Sequence, residues 1–281
     1  GMIRGIYTAS SSMLVEIIRQ DMVANNLANV DTCGFKQDQG IFKELPTMEL
    51  RRVNDGKLYP PRPIYKYPKI GELGTGVILD ESFTNFKAGA FDYTGNELDV
   101  ALENEKAFFV VESPKGTRFT RDGILNINQD GFLTNMSGDF MLAEREPVDP
   151  ENQTSILNED GTMASELVRV SVQGGQNVQI DRDGRVLVDG VPQYRLVAGM
   201  AEDRKAFRKE GANKFVRAYG EVARADTNFK QGYIEKPNFS LVEEMVRMIE
   251  VSRAYEANSK VIQSHDGLLD KAINSVGATR R

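Results

Sequence analysis

One histidine, His265, and one cysteine, Cys33, are the scarcest reactive side chains in this 281-residue chain. A nucleophilic triad built on histidine would have to recruit His265. Helical steps put His265 in line with Val261 and Leu268, so it reads as a packing histidine beside an apolar stripe. A zinc site would need His265, Cys33 and carboxylates to complete it. The stretch Asn126-Ile127-Asn128-Gln129-Asp130-Gly131 mimics the first half of an EF-hand loop. Its twelfth position is Ser137 instead of a bidentate glutamate, and its flanks are strand-like. It reads as a hairpin turn. The glycines of Gly71–Gly76 (GELGTG) are spaced in the reverse of a dinucleotide fingerprint, without a strand–turn–helix unit around them, and read as a flexible turn. Carboxylates are plentiful, but the pattern singles out no pair. The expectation is no catalytic residue, no cofactor and no metal: the chain offers no reaction, and it is not read as an enzyme.

Bulk properties narrow the classes further. The chain carries 35 basic and 41 acidic side chains, a net charge of -6. That argues against sequence-independent nucleic-acid binding, which needs basic surface to neutralise phosphates. No apolar run is long enough to span a bilayer. Gly1 ahead of Met2 reads as a tag remnant, and no cleaved secretory signal is visible at the start. A lone cysteine excludes an intrachain disulfide framework.

The elements that would have to position anything lie at the two ends. Pro237 cannot sit inside a helix, and Asn238 or Ser240 can cap one, with Glu243 at the capping-box spacing from Ser240. From there, steps of four and three run through Leu241, Met245, Met248, Ser252, Tyr255, Ser259, Ile262, Asp266, Leu269 and Ile273. This predicts a long helix with a heptad stripe, which needs a partner to cover it. Residues 3–30 predict a second helix, with a stripe through Ile6, Ser10, Met13, Ile17, Gln20, Ala24 and Leu27. It should stop near Asn29 or Val30, because Asp31–Gly34 is a turn cluster. Neither end is strongly charged: residues 1–44 hold four basic and five acidic side chains, and residues 235–281 hold seven of each.

Between the ends, residues 45–76 read as an extended Pro/Gly-rich connector, with four prolines in Tyr59–Pro68. Residues 77–230 read as a β domain. Its short runs of Val, Ile and Phe are punctuated by five Asp-Gly pairs, at Asp122-Gly123, Asp130-Gly131, Asp160-Gly161, Asp183-Gly184 and Asp189-Gly190, the strongest short-range hairpin signal. Residues 199–214 read as a short helical or irregular segment. The predicted fold class is therefore α+β and mainly β: a hairpin-rich β domain inserted between terminal helices that pack in coiled-coil fashion. The helical assembly region, residues 1–44 with 231–281, is discontinuous.

These residues resemble a known family. Met2–Lys36, containing ANNLANVDTCGFK, resembles the amino-terminal signature of the flagellar rod, hook and hook-associated proteins. The stretch from Gln231 to Leu269 resembles their carboxy-terminal signature. Phe119–Leu142 resembles the family's Arg-Asp-Gly hairpin, and Glu210–Phe215 (EGANKF) its short return motif. Cys33 stands where Thr or Tyr is usual, and Lys236–Phe239 replaces a more usual Ser-Asn-Val. Chain length points to the rod subgroup, similar to the distal or proximal rod proteins.

The resemblance implies a structural subunit of the bacterial flagellar basal-body rod. Such a subunit leaves the cytoplasm through the type III export apparatus without losing a signal sequence, and polymerises through its terminal helices with copies of itself and other axial rod and hook proteins. The implied interface residues are Met13, Ile17, Ala24, Asn25, Asn26, Leu27, Asn29, Leu241, Met245, Met248, Tyr255, Ile262 and Leu269. The three asparagines suit helix-end capping or hydrogen bonds between subunits equally well, and export recognition is a further role. The alternatives are a hook or hook-associated axial protein, a surface fibre binding a ligand through its β domain, and an enzyme with an unrecognised carboxylate pair. The fibre reading sits poorly with a chain that has no Trp. The enzyme reading requires a deep pocket with convergent polar groups.

Overall fold

A computed structural model describes residues 2–51, 69–74, 76–148, 155–158, 160–161, 163, 166–174 and 177–278. The proline-rich Tyr59–Pro68 and the tail pair Arg280-Arg281 lie outside these residues. The chain divides into two compact units. The first comprises 1–27, 38–83 and 242–281, and the second 28–37 and 84–241.

The first unit is built on two helices, α1 (Met2–Ala28) and α2 (Leu241–Ala278). Strands β1 (Asp38–Glu44) and β4 (Val77–Thr84) pair in one ribbon. Strands β2 (Met48–Arg51) and β3 (Lys69–Leu73) pair antiparallel in another, Met48 facing Leu73. The segment expected as extended connector, 45–76, therefore contains two paired strands. Gly71 and Leu73 belong to β3 and not to a turn. Alternation of apolar and polar residues in Met48–Arg51 is too short to stand out as a strand beside so many prolines. Nor do the compact units divide at Val77, since β4 pairs with β1.

The second unit is antiparallel β. Its strands are β5 (Phe91–Tyr93), β6 (Val100–Leu102), β7 (Phe108–Ser113), β8 (Gly116–Thr120), β9 (Leu125–Ile127), β10 (Leu133–Asn135) and β11 (Phe140–Arg145). There follow β12 (Ser155–Leu157), β13 (Val168–Arg169), β14 (Val178–Ile180), β15 (Arg185–Val188), β16 (Val191–Leu196) and β17 (Ala198–Met200). A 3-10 turn (Arg204–Ala206) precedes β18 (Phe207–Glu210) and β19 (Lys214–Arg217). The last three are β20 (Val222–Arg224), β21 (Phe229–Gln231) and β22 (Tyr233–Glu235). Most of them join one sheet running β12-β20-β17-β7-β11-β16-β15-β14.

Strand β7 explains why its sequence is apolar without alternation. Phe109 and Val111 enter one buried cluster with Leu133, Met141 and Val186. Phe108 and Val110 enter another, with Phe119, Ile156 and Phe215. A strand covered on both faces needs apolar residues at every position.

Four of the five Asp-Gly pairs lie at turns. Asp130-Gly131 links β9 to β10, and Asp183-Gly184 links β14 to β15. The EF-like stretch is accordingly a hairpin. Asp189 and Gly190, both at positive φ, make the two-residue turn between Val188 and Val191. Gly161 follows Asp160 in the turn between Leu157 and Met163. Asp122-Gly123 is the exception. Arg121 and Asp122 are buried, and a Cβ on Gly123 would lie 1.7 Å from the Val100 carbonyl oxygen. This pair serves close packing instead of a hairpin tip.

Candidate assembly interface

The helices α1 and α2 run antiparallel, side by side. An added Cβ on Gly5 would lie 3.1 Å from His265 Nε2, while Asn26 Nδ2 donates to Glu244 Oε2 at 3.2 Å. On α1 Ala9, Val15, Glu16, Val23 and Asn26 are buried. Of the expected stripe, Ile6, Ser10, Met13 and Leu27 are half-buried, while Ile17, Gln20 and Ala24 are exposed. On α2 Glu244 and Val251 are buried, and Met248, Ser252, Tyr255, Ser259, Ile262 and Leu269 of the expected stripe are half-buried beside Asn258 and His265. Leu241, Met245, Asp266 and Ile273 of that stripe are exposed.

The exposure of part of each stripe has a physical reason. A stripe drawn through the largest apolar residues assumes that these face the nearest partner. Beside α2, α1 instead places the small Gly5 near His265 and the polar Asn26 against Glu244. Larger side chains are left outside. Tyr7, Leu14 and Ile17 on α1 and Val242, Met245, Val246, Ile249, Val261, Leu268 and Ile273 on α2 are exposed, Leu14 at 63% and Val242 at 68%.

The implied interface residues thus separate into groups. Ile17, Ala24, Asn25, Leu241 and Met245 are exposed. Met13, Leu27, Asn29, Met248, Tyr255, Ile262 and Leu269 are half-buried. Asn26 alone is fully buried, at 2% exposure. Its amide accepts from Asp38 N at 3.0 Å and donates to the Asp38 carbonyl at 3.1 Å as well as to Glu244. It ties the start of β1 to both helices. Asn29 Oδ1 accepts from Thr32 Oγ1 in the turn that follows α1. Arg19 stacks over the ring of Phe42 on β1, 4.3 Å from its centroid.

Sequence reasoning missed the densest polar site. It lies in the second unit, where the three signature segments meet. Lys36 Nζ donates to Glu235 Oε1 at 2.6 Å, and Arg121 Nε donates to Glu235 Oε2 at 2.6 Å. All three side chains are buried. Arg121 also donates to the carbonyls of Leu102, Asn104 and Ala107, and Lys36 to that of Lys87. The five N–H groups of Arg121 and two of the three on Lys36 are thereby directed to acceptors, which offsets the burial of charge. Burial pushes the Glu235 carboxyl up, but Arg121 and Lys36 outweigh it and hold the carboxyl below its ordinary value. Burial pushes the Lys36 ammonium down, partly opposed by Glu235.

Beside this triad, Asn213 of the EGANKF segment donates to Asp122 Oδ2 and to the Cys33 carbonyl. Burial, with the charge of Asp122, pushes the Cys33 thiol up to about 12. Such a thiol is inert at neutral pH. The only clue in the sequence was the placement of Lys36, Arg121 and Glu235 inside separate motif segments; nothing in their spacing says that they meet.

His265 lines an open groove on α2 with Lys260, Val261, Ser264 and Leu268. Among the described residues, no helix is long and apolar enough to cross a membrane, and no group of three or more His, Cys, Asp or Glu side chains could hold a metal ion.

Comparison with known proteins agrees along the chain. Residues 6–36 match the family described as flagella basal body rod protein, and residues 230–275 the flagellar basal body rod FlgEFG protein C-terminal family. Residues 104–188 match the flagellar hook protein FlgE/F/G D1 domain. The flagellar hook-basal body complex protein FlhO of Bacillus subtilis (strain 168) is 30% identical over 98% of this chain and 99% of its own length. The flagellar basal-body rod protein FlgG of Borreliella burgdorferi is 30% identical over 97% of this chain and 98% of its own. The flagellar basal-body rod protein FlgF of Rhizobium meliloti is 26% identical over 98% and 99%. The chain belongs to the flagellar basal-body rod protein family and is a structural subunit of the rod that serves motility.

Proposed function

We propose that this subunit polymerises with copies of itself and with other axial proteins through the outward faces of α1 and α2, in coiled-coil fashion. The observation that supports this reading is the row of large apolar side chains that the antiparallel pair leaves uncovered, above all Val242, Met245, Val246 and Ile249 within two turns of α2. An apolar row of this kind marks a surface that awaits a partner. A shaft requires contacts that repeat along a helix without closing on themselves, and faces on two antiparallel helices supply distinct donor and acceptor surfaces for such contacts. The assembling helices α1 and α2 lie within residues 1–44 and 231–281, and the main β sheet lies within 77–230. Of the implied interface residues, Ile17, Ala24, Asn25, Leu241 and Met245 contact neighbouring subunits directly. Met13, Leu27, Asn29, Met248, Tyr255, Ile262 and Leu269 border the two seams, and Asn26 fixes the geometry of the pair from within.

The subunit works outside the cytoplasm and reaches the rod through the flagellar export apparatus, with its α1 sequence retained. The test is Met245→Asp, at a position where the free chain tolerates a charge. The altered chain should be made and folded, basal bodies should lack complete rods, and cells should not swim on soft agar. Complete rods with normal swimming would refute the reading.

A further inference from the structure

The chain passes between its two units four times, after Leu27, Gln37, Phe83 and Leu241. Within the second unit, the segments that lead to the last three passages are sewn to one another. Gln37 N donates to Asn238 Oδ1 at 2.8 Å, and Asn238 Nδ2 donates to the carbonyls of Asn85 and Lys87 at 2.6 and 3.1 Å. Asn85 N donates to the Gln37 carbonyl at 2.8 Å. Lower in the same stitch, Lys36 Nζ donates to the Lys87 carbonyl, Gly89 N to Glu235 Oε1, and Lys236 N to the Ala90 carbonyl. The packing leaves no slack. A Cβ on Gly89 would lie 1.7 Å from the Lys236 carbonyl oxygen. Phe35 and Phe239 meet edge to face, their centroids 5.9 Å apart.

We propose that this stitch is the mechanical joint of the subunit, with Asn238 as its positioning residue. Three separate connecting segments, each bendable by itself, become one stiff stem when their backbones are mutually hydrogen-bonded. The Lys36–Glu235–Arg121 triad fastens that stem to the core of the β unit, through the carbonyls on which Arg121 ends. Asn238 suits the part because its single side-chain amide ties its own segment to the other two, accepting from Gln37 N and donating twice to the 85–87 backbone. It is only half-buried, so its loss does not hollow the apolar core.

This inference rests on the terminal helices being the assembling element, and its test has one arm that does not. In the free full-length chain, Asn238→Ala should accelerate amide exchange about tenfold in 34–37, 85–90 and 235–239 together, with β7 and β11 unchanged. In cells, Asn238→Ala should form complete rods and swim normally in dilute medium, but lose swimming in medium thickened with methylcellulose. Faster exchange confined to residues next to 238 would overturn the proposal. So would a loss of protection throughout β7 and β11, which would make Asn238 an ordinary stabilising residue. Swimming reduced equally, or not at all, in both media would also overturn it. Failure of the assembly reading shows elsewhere, as normal rods with Met245→Asp.

Discussion

Lys36 and Glu235 are 199 positions apart, yet Lys36 Nζ and Glu235 Oε1 meet at 2.6 Å, with both side chains excluded from solvent. Lys36 closes the amino-terminal signature and Glu235 lies near the start of the carboxy-terminal one. Their contact joins, inside the β unit, the chain that has just left α1 to the chain about to enter α2.

Glu235→Gln strips two buried cations of their counter-charge. Removing one partner from a buried ionic site costs about 3–5 kcal/mol, so the denaturant midpoint should fall well below that of the parent chain. The pH dependence carries the same signature. The folded-state carboxyl is held below its ordinary 4.5, so its contribution is fully present above pH 4.5 and is lost as pH falls below that value. The difference in stability between parent and Glu235→Gln should therefore shrink on acidification from pH 5. Urea melts across that range check it, and a difference that grows toward low pH would contradict the assignment.

Gly34→Ala should destabilise the same unit. Gly34 has φ of +67°, and a Cβ there would lie 2.5 Å from the carbonyl carbon of Arg121. Backbone strain and displacement of the triad together should exceed about 1–3 kcal/mol, read as a drop in Tm.

Asn26→Ala removes both bonds to the Asp38 backbone and leaves Glu244 without its amide partner, though Arg247 still donates to Glu244. The expected loss is about 1–3 kcal/mol, localised to α1, α2 and β1. Gln20→Ala, at an exposed position of α1, should stay within about 0.5 kcal/mol. Hydrogen exchange on the free chain distinguishes the two.

The helices and the β class were legible because period and turn chemistry are local. Residues 3–30 predict a helix and α1 spans Met2–Ala28, while α2 begins at Leu241, directly after the expected cap. Which face of each helix is covered was less legible. Apolar size draws a stripe through Ile17 and Met245, which are exposed, whereas Gly5 near His265 and Asn26 on Glu244 mark the side that meets α2. The triad was not legible at all. Lys36, Arg121 and Glu235 look like ordinary surface charges until the sheet brings them together, and Asp122-Gly123 carries the same hairpin signal as Asp130-Gly131 while serving close packing.

Cys33 is buried, and its thiol is pushed up to about 12. Thiol reagents at pH 7 should leave it unmodified in the folded chain and react only after denaturation. Reaction in the folded chain would contradict the burial. An inert native cysteine also makes the chain suitable for introduced cysteines.

That property allows the assembly claim to be tested without adding a charge. Ile249 is 51% exposed in the free chain, and Asp183 lies at an exposed hairpin turn of the β unit. The measurement is the rate of maleimide labelling of Ile249→Cys, with Asp183→Cys to report general access, in the free chain and in isolated basal bodies. If the outer face of α2 is a seam between subunits, Ile249→Cys labels quickly in the free chain and is protected in basal bodies, under conditions where Asp183→Cys is labelled in both. Equal labelling of Ile249→Cys in the free chain and in basal bodies would contradict the account.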